Sequence, residues 1–266
     1  MMCGRTVFLL IFGWASVAMS QVTTGAGVTP GSGVPIAGTA SPNYPVTIPA
    51  GATSYPNLEQ DPGWTADASR SISPNPPTSY SINQSGSPVV MTLKTQGTPG
   101  KYTGWMAKKG IGIPSGHHHM LVRASYTFSS VSGIQAWEVG RRSTNRSGMT
   151  DNGQTQLVPI GGGLLEFDLV PSSSGGWQDT GCRFPAFVAG TTYNEELYYI
   201  DDPGGNSSLI YVSLNGTVCT ISPVLQSVAG ASLGWSPNEA VVAFQPDANR
   251  SAVAYDAVVT ISAWTW

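Results

Sequence analysis

The tightest local constraint on this chain is Ser207–Ser222, SSLIYVSLNGTVCTIS. Asn215-Gly216 stands between two runs that alternate apolar and polar residues. A type I′ turn needs φ > 0 at both central positions, and Asn-Gly supplies it, so the stretch predicts a two-stranded hairpin. The alternation assigns Leu209, Tyr211 and Ser213 to one face and Ile210, Val212 and Leu214 to the other. Short segments of the same kind recur along the chain, broken by clusters of Gly, Pro, Asn and Ser. Those expected are 79–84, 89–95, 102–108, 119–128, 134–141, 164–170, 178–183, 195–200, 209–214, 218–221, 240–245 and 254–264. In 119–128, Met120, Val122, Ser125 and Thr127 alternate around a slip at Arg123-Ala124, which predicts a bulge. No window shows a helical period, and no repeat of solenoid or propeller length is present.

Composition agrees with an extracellular all-β protein: 32 Gly, 20 Pro and only 10% charged residues. Met1–Ser20 reads as a secretory signal, with Arg5 before a short apolar run and Ala18-Met19-Ser20 as the cleavage site. Residues 21–58, rich in Gly, Pro, Ser and Thr, read as a flexible tether. Residues 59–266 then form one β-sandwich. The mature chain is expected to be secreted, with no membrane span. Its net charge of −3 gives no footprint for nucleic acid. Lys108-Lys109 and Arg141-Arg142, the only clustered cations, read as solvated surface.

Removing the signal takes Cys3 and leaves Cys182 and Cys219. Two cysteines in an exported chain suggest one disulfide, the other reading being two buried thiols. Seven tryptophans remain after Trp14. Trp105, Trp137, Trp177, Trp235 and Trp264 are candidates for the core. Trp177, Trp235 and Trp105 are also the candidates for stacking on a sugar ring. His117-His118-His119 are all the histidines of the chain, and they read as a loop entering a strand. No metal site is expected from them. Asp201-Asp202-Pro203-Gly204-Gly205-Asn206 carries the oxygen donors a Ca²⁺ site needs and reads equally as a hairpin turn, the favoured reading; no other cofactor is implied. Asn-x-Ser/Thr sequons occur at Asn83, Asn145, Asn206, Asn215 and Asn249.

Glu138, Glu166 and Asp168 are the candidate catalytic residues. Within Ile134–Gly140, Trp137 and Val139 share one face while Ala136 and Glu138 share the other. Within Leu164–Val170, Leu165, Phe167 and Leu169 oppose Glu166 and Asp168. Two strands that bury these apolar faces present carboxylates opposite. Glycoside hydrolysis needs such carboxylates, one as acid and one as base or nucleophile. The plainer reading pairs Glu138 with Arg141 or Arg142. Glu138 and Glu166 are expected on adjacent strands of one sheet.

Ile134-Gln-Ala-Trp-Glu138, Leu164-Leu-Glu166-Phe-Asp168, Trp177–Cys182, Tyr211–Gly216, Phe244-Gln-Pro-Asp247 and the terminal Tyr255–Trp266 stretch, in that order, resemble the concanavalin A-like lectin/glucanase superfamily. Secreted bacterial members, acidobacterial ones especially, are the most similar. The resemblance implies a jelly-roll β-sandwich of two curved antiparallel sheets whose concave face meets a polysaccharide or other glycan. Catalytic relatives carry Glu-x-Asp-x-x-Glu, whereas here Pro171 follows Glu166-Phe-Asp168-Leu-Val. They often carry Asp two residues after the counterpart of Glu138, whereas here that position is Gly140. Both departures favour a non-catalytic, lectin-like protein. The alternatives are a glycoside hydrolase or polysaccharide lyase using the paired carboxylates, and a structural or adhesive surface protein.

Overall fold

The computed structural model describes residues 45–68, 75–114, 116–144, 150–170, 176–201, 207–225, 227–228 and 239–266. The expected signal, most of the tether, Trp235 and the Asp202–Asn206 stretch lie outside the described residues, as do the Arg141 and Arg142 side chains. In chain order the strands are β1 (Thr53–Tyr55), β2 (Thr65–Asp67), β3 (Ser79–Ser85), β4 (Val90–Gln96), β5 (Thr103–Gly104), β6 (Met106–Gly112), β7 (His119–Phe128), β8 (Ile134–Thr144) and β9 (Thr150–Gly153). They continue with β10 (Thr155–Pro159), β11 (Leu164–Leu169), β12 (Gln178–Pro185), β13 (Thr192–Asp201), β14 (Ser207–Leu214), β15 (Thr217–Leu225), β16 (Ser227–Val228), β17 (Glu239–Ala248) and β18 (Ala254–Thr265).

One sheet runs β15-β14-β13-β7-β18-β4-β3, with β1 also paired to β18. The other runs β12-β11-β10-β8-β17-β6-β2, with β5, β9 and β16 attached. All pairings are antiparallel, and the two sheets stack as the expected jelly-roll sandwich. Asn215 and Gly216 take φ of 50° and 80°, and Leu214 faces Thr217, so the hairpin forms as its turn residues dictate.

The core is an aromatic layer between the sheets. Trp137 of β8 lies 5.2 Å from Tyr126 and 4.9 Å, edge to face, from Phe128 of β7, and 5.6 Å from Phe244 of β17 (ring centroids). All four rings are buried. Offset and edge-on contacts of this kind add to the gain from area burial. Gly133 sets the entry to β8. A Cβ there would meet Val253 O at 2.3 Å, and Asn249 N–H donates to Gly133 O at 2.9 Å. That contact holds the register of β8 against β17.

Two face assignments change. In β7 the alternation is unbroken: Met120, Val122, Ala124, Tyr126 and Phe128 are buried, and every partner stays in register. No bulge is needed at Arg123-Ala124, because Ala124 itself takes the inward place. The irregularity falls in β14, between Leu209 and Tyr211. It turns Leu209 toward the main core with Val212 and Leu214, while Ile210 and Tyr211 join a cluster on the outer side.

That outer cluster also contains Val46, whose N–H donates to the Tyr211 hydroxyl at 3.3 Å. With β1 paired to β18 and Leu58 in the main core, residues 45–58 are bound to the sandwich. The expected tether boundary near Leu58 therefore falls inside a packed segment.

Cys182 of β12 and Cys219 of β15 form a disulfide, with Cα atoms 5.9 Å apart. It joins the terminal strand of one sheet to the terminal strand of the other. Such a bond fits an exported chain. No helix among the described residues is long and apolar enough to cross a membrane. Replacing both cysteines by alanine is expected to lower stability by about 2–5 kcal/mol, given the 37-residue separation. Denaturant unfolding of the two proteins checks this, and equal midpoints would contradict it.

Glu195 sits inward on β13 among these apolar groups and accepts a hydrogen bond from the Tyr126 hydroxyl at 2.8 Å. Burial raises its pKa from 4.5 to about 8, against the lowering effect of the Tyr126 bond. Between those two values the folded chain holds a proton that the unfolded chain has released. Stability therefore falls as pH rises through that window, by at most about 1.4 kcal/mol per pH unit. Glu195→Gln is expected to flatten the decline, most visibly between pH 5 and 8. Parallel melting curves across that range would refute the assignment.

Candidate functional site

The packing of Trp137, Phe167 and Phe244 between the sheets turns their neighbours to the opposite face of the second sheet. Register then aligns those neighbours into one row across seven strands. Gln245 of β17 faces Glu138 of β8. Leu157 of β10 faces Trp137, so Gln156 falls opposite Glu138. Gln156 faces Asp168 of β11, and Asp168 faces Asp179 of β12. On the other side Phe244 faces Ala107, which brings Met106 of β6 beside Gln245, and Met106 faces Asp67 of β2. Glu166 lies on the same face, one pleat from Asp168.

Glu138 and Glu166 therefore share a sheet but are not on adjacent strands: β10 lies between them. β10 is one of several short strands that sequence reasoning missed, and the one that matters here. Its five residues TQLVP end in proline and are too short for a periodic signal. With it were missed Gln156 and, on the neighbouring edge, Asp179 and Arg183.

The middle of the row is buried although it faces away from the core. Glu138 is 6% exposed, Asp168 7%, and Gln156 and Gln245 6% each. Each carboxylate is held by an amide: Gln245 Nε2 donates to Glu138 Oε1 at 2.5 Å, and Gln156 Nε2 to Asp168 Oδ2 at 2.9 Å. Met106, Val241 and Ala243 make a small apolar patch beside it on the same face. Lys108, on β6, pairs with Asp67 at 2.8 Å.

The acids of β11 and β12 form the second half. Carboxylate oxygens of Glu166, Asp168 and Asp179 lie within 4.8 Å of one another. The cation beside them is Arg183, whose Nη2 is 2.6 Å from Asp179 Oδ2 and 3.0 Å from Glu166 Oε2. This guanidinium holds the Asp179 carboxyl below its ordinary range. Burial, then the charge and hydrogen bonding of Asp168 and the charge of Asp179, raise Glu166 to about 7, with Arg183 pulling the other way. Burial also raises Asp168, against hydrogen bonds from Gln156 and Glu166. The buried Oδ1 of Asp168 has no fixed donor. A proton on Glu166 supplies one, so near neutrality the two carboxyls share a proton, as crowded acids do.

The sugar-stacking candidates separate. Trp177, just ahead of β12 and two residues before Asp179, is 41% exposed. Trp105 is a correction: it is fully buried in the core, and its Nε1 donates to Thr95 Oγ1 at 2.8 Å, so it offers no face to a ligand. Trp137 is core, as expected. Trp264 lies on the outer side of the other sheet beneath the Arg123 guanidinium. His117 and His119 bond through Nδ1 to Thr265 and Tyr198, and His119 opens β7.

No family model and no curated relative matches the chain. Among solved structures it is similar to the alginate lyase Aly36B in complex with alginate tetrasaccharide, at 11% identity and TM-score 0.47, over 79% of this chain and 96% of that one. It is also similar to the conserved carbohydrate esterase of the Shiga toxin-encoding bacteriophage phi24B, at 12% identity and TM-score 0.46, over 81% and 99%. The family 7 alginate lyase A1-II′ in complex with substrate matches at 16% identity and TM-score 0.42, over 71% and 82%. These are similarities in the course of the backbone, and they do not bear on the acidobacterial resemblance.

Asp168→Asn is expected to lower the Glu166 midpoint from about 7 toward 4.5, because it removes a negative neighbour. Arg183→Met is expected to raise it. Carboxyl-carbon NMR titration reads both shifts, and a midpoint indifferent to Asp168→Asn would break the shared-proton assignment.

Proposed function

We propose that the chain is a secreted enzyme that cleaves a polysaccharide by general acid–base chemistry on this row. The observation that carries the reading is the Glu166–Asp168 pair. It keeps a proton available near neutrality on a face where Glu138 is also held in place by an amide. A perturbed, crowded carboxyl next to an exposed aromatic ring is the chemistry expected of a glycan-cleaving site. Asp179 of β12 adds a third carboxylate beside the pair.

In this reading Glu166 gives its proton to the glycosidic oxygen as the bond to the anomeric carbon breaks. Glu138 takes a proton from a water, whose hydroxyl joins that carbon from the opposite side. Glu138 and Glu166 stand two strands and one pleat apart, about 12 Å between Cα atoms. Side chains leaning toward each other over that span leave room for a water and suit inversion, for which carboxyls lie about 6.5–9.5 Å apart. Trp177 receives the apolar face of a sugar ring beside the acid pair.

Assay of the purified protein on a polysaccharide panel is expected to release new reducing ends without an unsaturated uronate. Glu166→Gln and Glu138→Gln are each expected to lower kcat about 10²–10⁴-fold. Tight binding with no product would return the lectin-like reading. An unsaturated product would replace hydrolysis by β-elimination.

A further inference from the structure

We infer that the glycan taken by this row is uncharged and rich in hydroxyls, not a polyuronate, and that Gln245 is a residue that selects it. The inference rests on the reading of the row as a glycan-cleaving site and adds the substrate class. It starts from the charges. Among the residues whose side chains are described, the face carries Asp67, Glu138, Glu166, Asp168, Asp179 and Asp247, against Lys108 and Arg183. Both cations are engaged, Lys108 by Asp67 and Arg183 by Asp179 and Glu166. A polymer with a carboxylate on every unit would enter a field of its own sign, in a setting where burial weakens screening.

The hydrogen-bonding groups point the same way. Gln156 Nε2 donates to Asp168, and Gln245 Nε2 to Glu138 and, at 3.4 Å, to Asp247 Oδ1. Gln245 Oε1 is left as a buried acceptor with no partner. The orientation of this amide is dictated by its neighbour: flipping it would set its oxygen against the Glu138 carboxylate at 2.5 Å. A buried acceptor without a donor is unfavourable until one arrives. A sugar hydroxyl supplies that donor, whereas a uronate carboxylate placed against the same atom would not. Gln245 thus adds hydroxyl recognition next to Glu138, several strands from the ring platform at Trp177.

The test uses the full-length exported protein and two sets of oligosaccharides, neutral β-glucan, xylan and mannan in one and alginate and pectate in the other. Calorimetry and product release are read at low and high salt. The expected result is binding and cleavage in the neutral set, little changed by salt. Gln245→Met should then raise KM for the neutral substrate about tenfold and, because it also removes the donor to Glu138, lower kcat and the melting temperature as well. Preference for alginate or pectate would overturn the inference and leave the glycan-cleaving reading standing. So would an unchanged KM in a folded Gln245→Met protein, as regards Gln245. If that variant does not fold, the comparison of the two sets on the parent protein still decides the substrate class. Failure to bind or cleave any member of either set would refute the proposed function, and this inference with it.

Discussion

The aromatic layer of Tyr126, Phe128, Trp137 and Phe244 is the contact on which the rest of the molecule depends. It is the inner face of both sheets at once. In a strand the inner and outer faces alternate by single residues, so seating Trp137 and Phe244 inward leaves no freedom in where Glu138 and Gln245 point. A one-residue slip of β8 would bury a carboxylate in the aromatic layer and expose a tryptophan, and burial of an unpaired charge is strongly opposed. The position of the polar row is in this sense a by-product of packing.

The open side of the sandwich is secured differently. The terminal strands β12 and β15 belong to different sheets, and free strand edges invite pairing with other chains. The Cys182–Cys219 bond ties these two strands together and keeps Asp179 and Arg183 at the rim of the row. The segment through Val46, β1 and Leu58 covers parts of the other sheet in the same economical way, by a few apolar contacts and a short ladder.

The chain places two kinds of buried acid in one small protein, and they differ in what surrounds them. Glu195 is enclosed in the core with one tyrosine, where a neutral carboxyl is the stable form. Glu166 is half-buried beside two other acids and one arginine, so its proton is set by a balance of opposing neighbours. The first is a structural group whose ionisation opposes folding. The second is partly exposed on the outer face of its sheet, and its neighbours tune it close to neutrality.

Much of the local structure was legible in the chain. The Asn215-Gly216 turn, the bounds of β7 and the facing of Trp137 against Glu138 follow from φ preferences and a period of two, which are properties of consecutive residues, although the slip expected inside β7 does not occur. The pairing of the two remaining cysteines followed from their number. The tertiary structure decided what lies beside what. The strand β10, too short to announce itself, separates β8 from β11 and inserts Gln156 between Glu138 and Asp168. Likewise the Leu209 side chain turns inward only because β14 is irregular against β15. Trp105 and Trp177 are the same residue type in similar surroundings of sequence, yet one is sealed in the core and one is exposed. Strand neighbours and burial arise from contacts between residues far apart in the chain. Local alternation determines which face a side chain takes, and only the pairing of distant strands determines which side chains share that face.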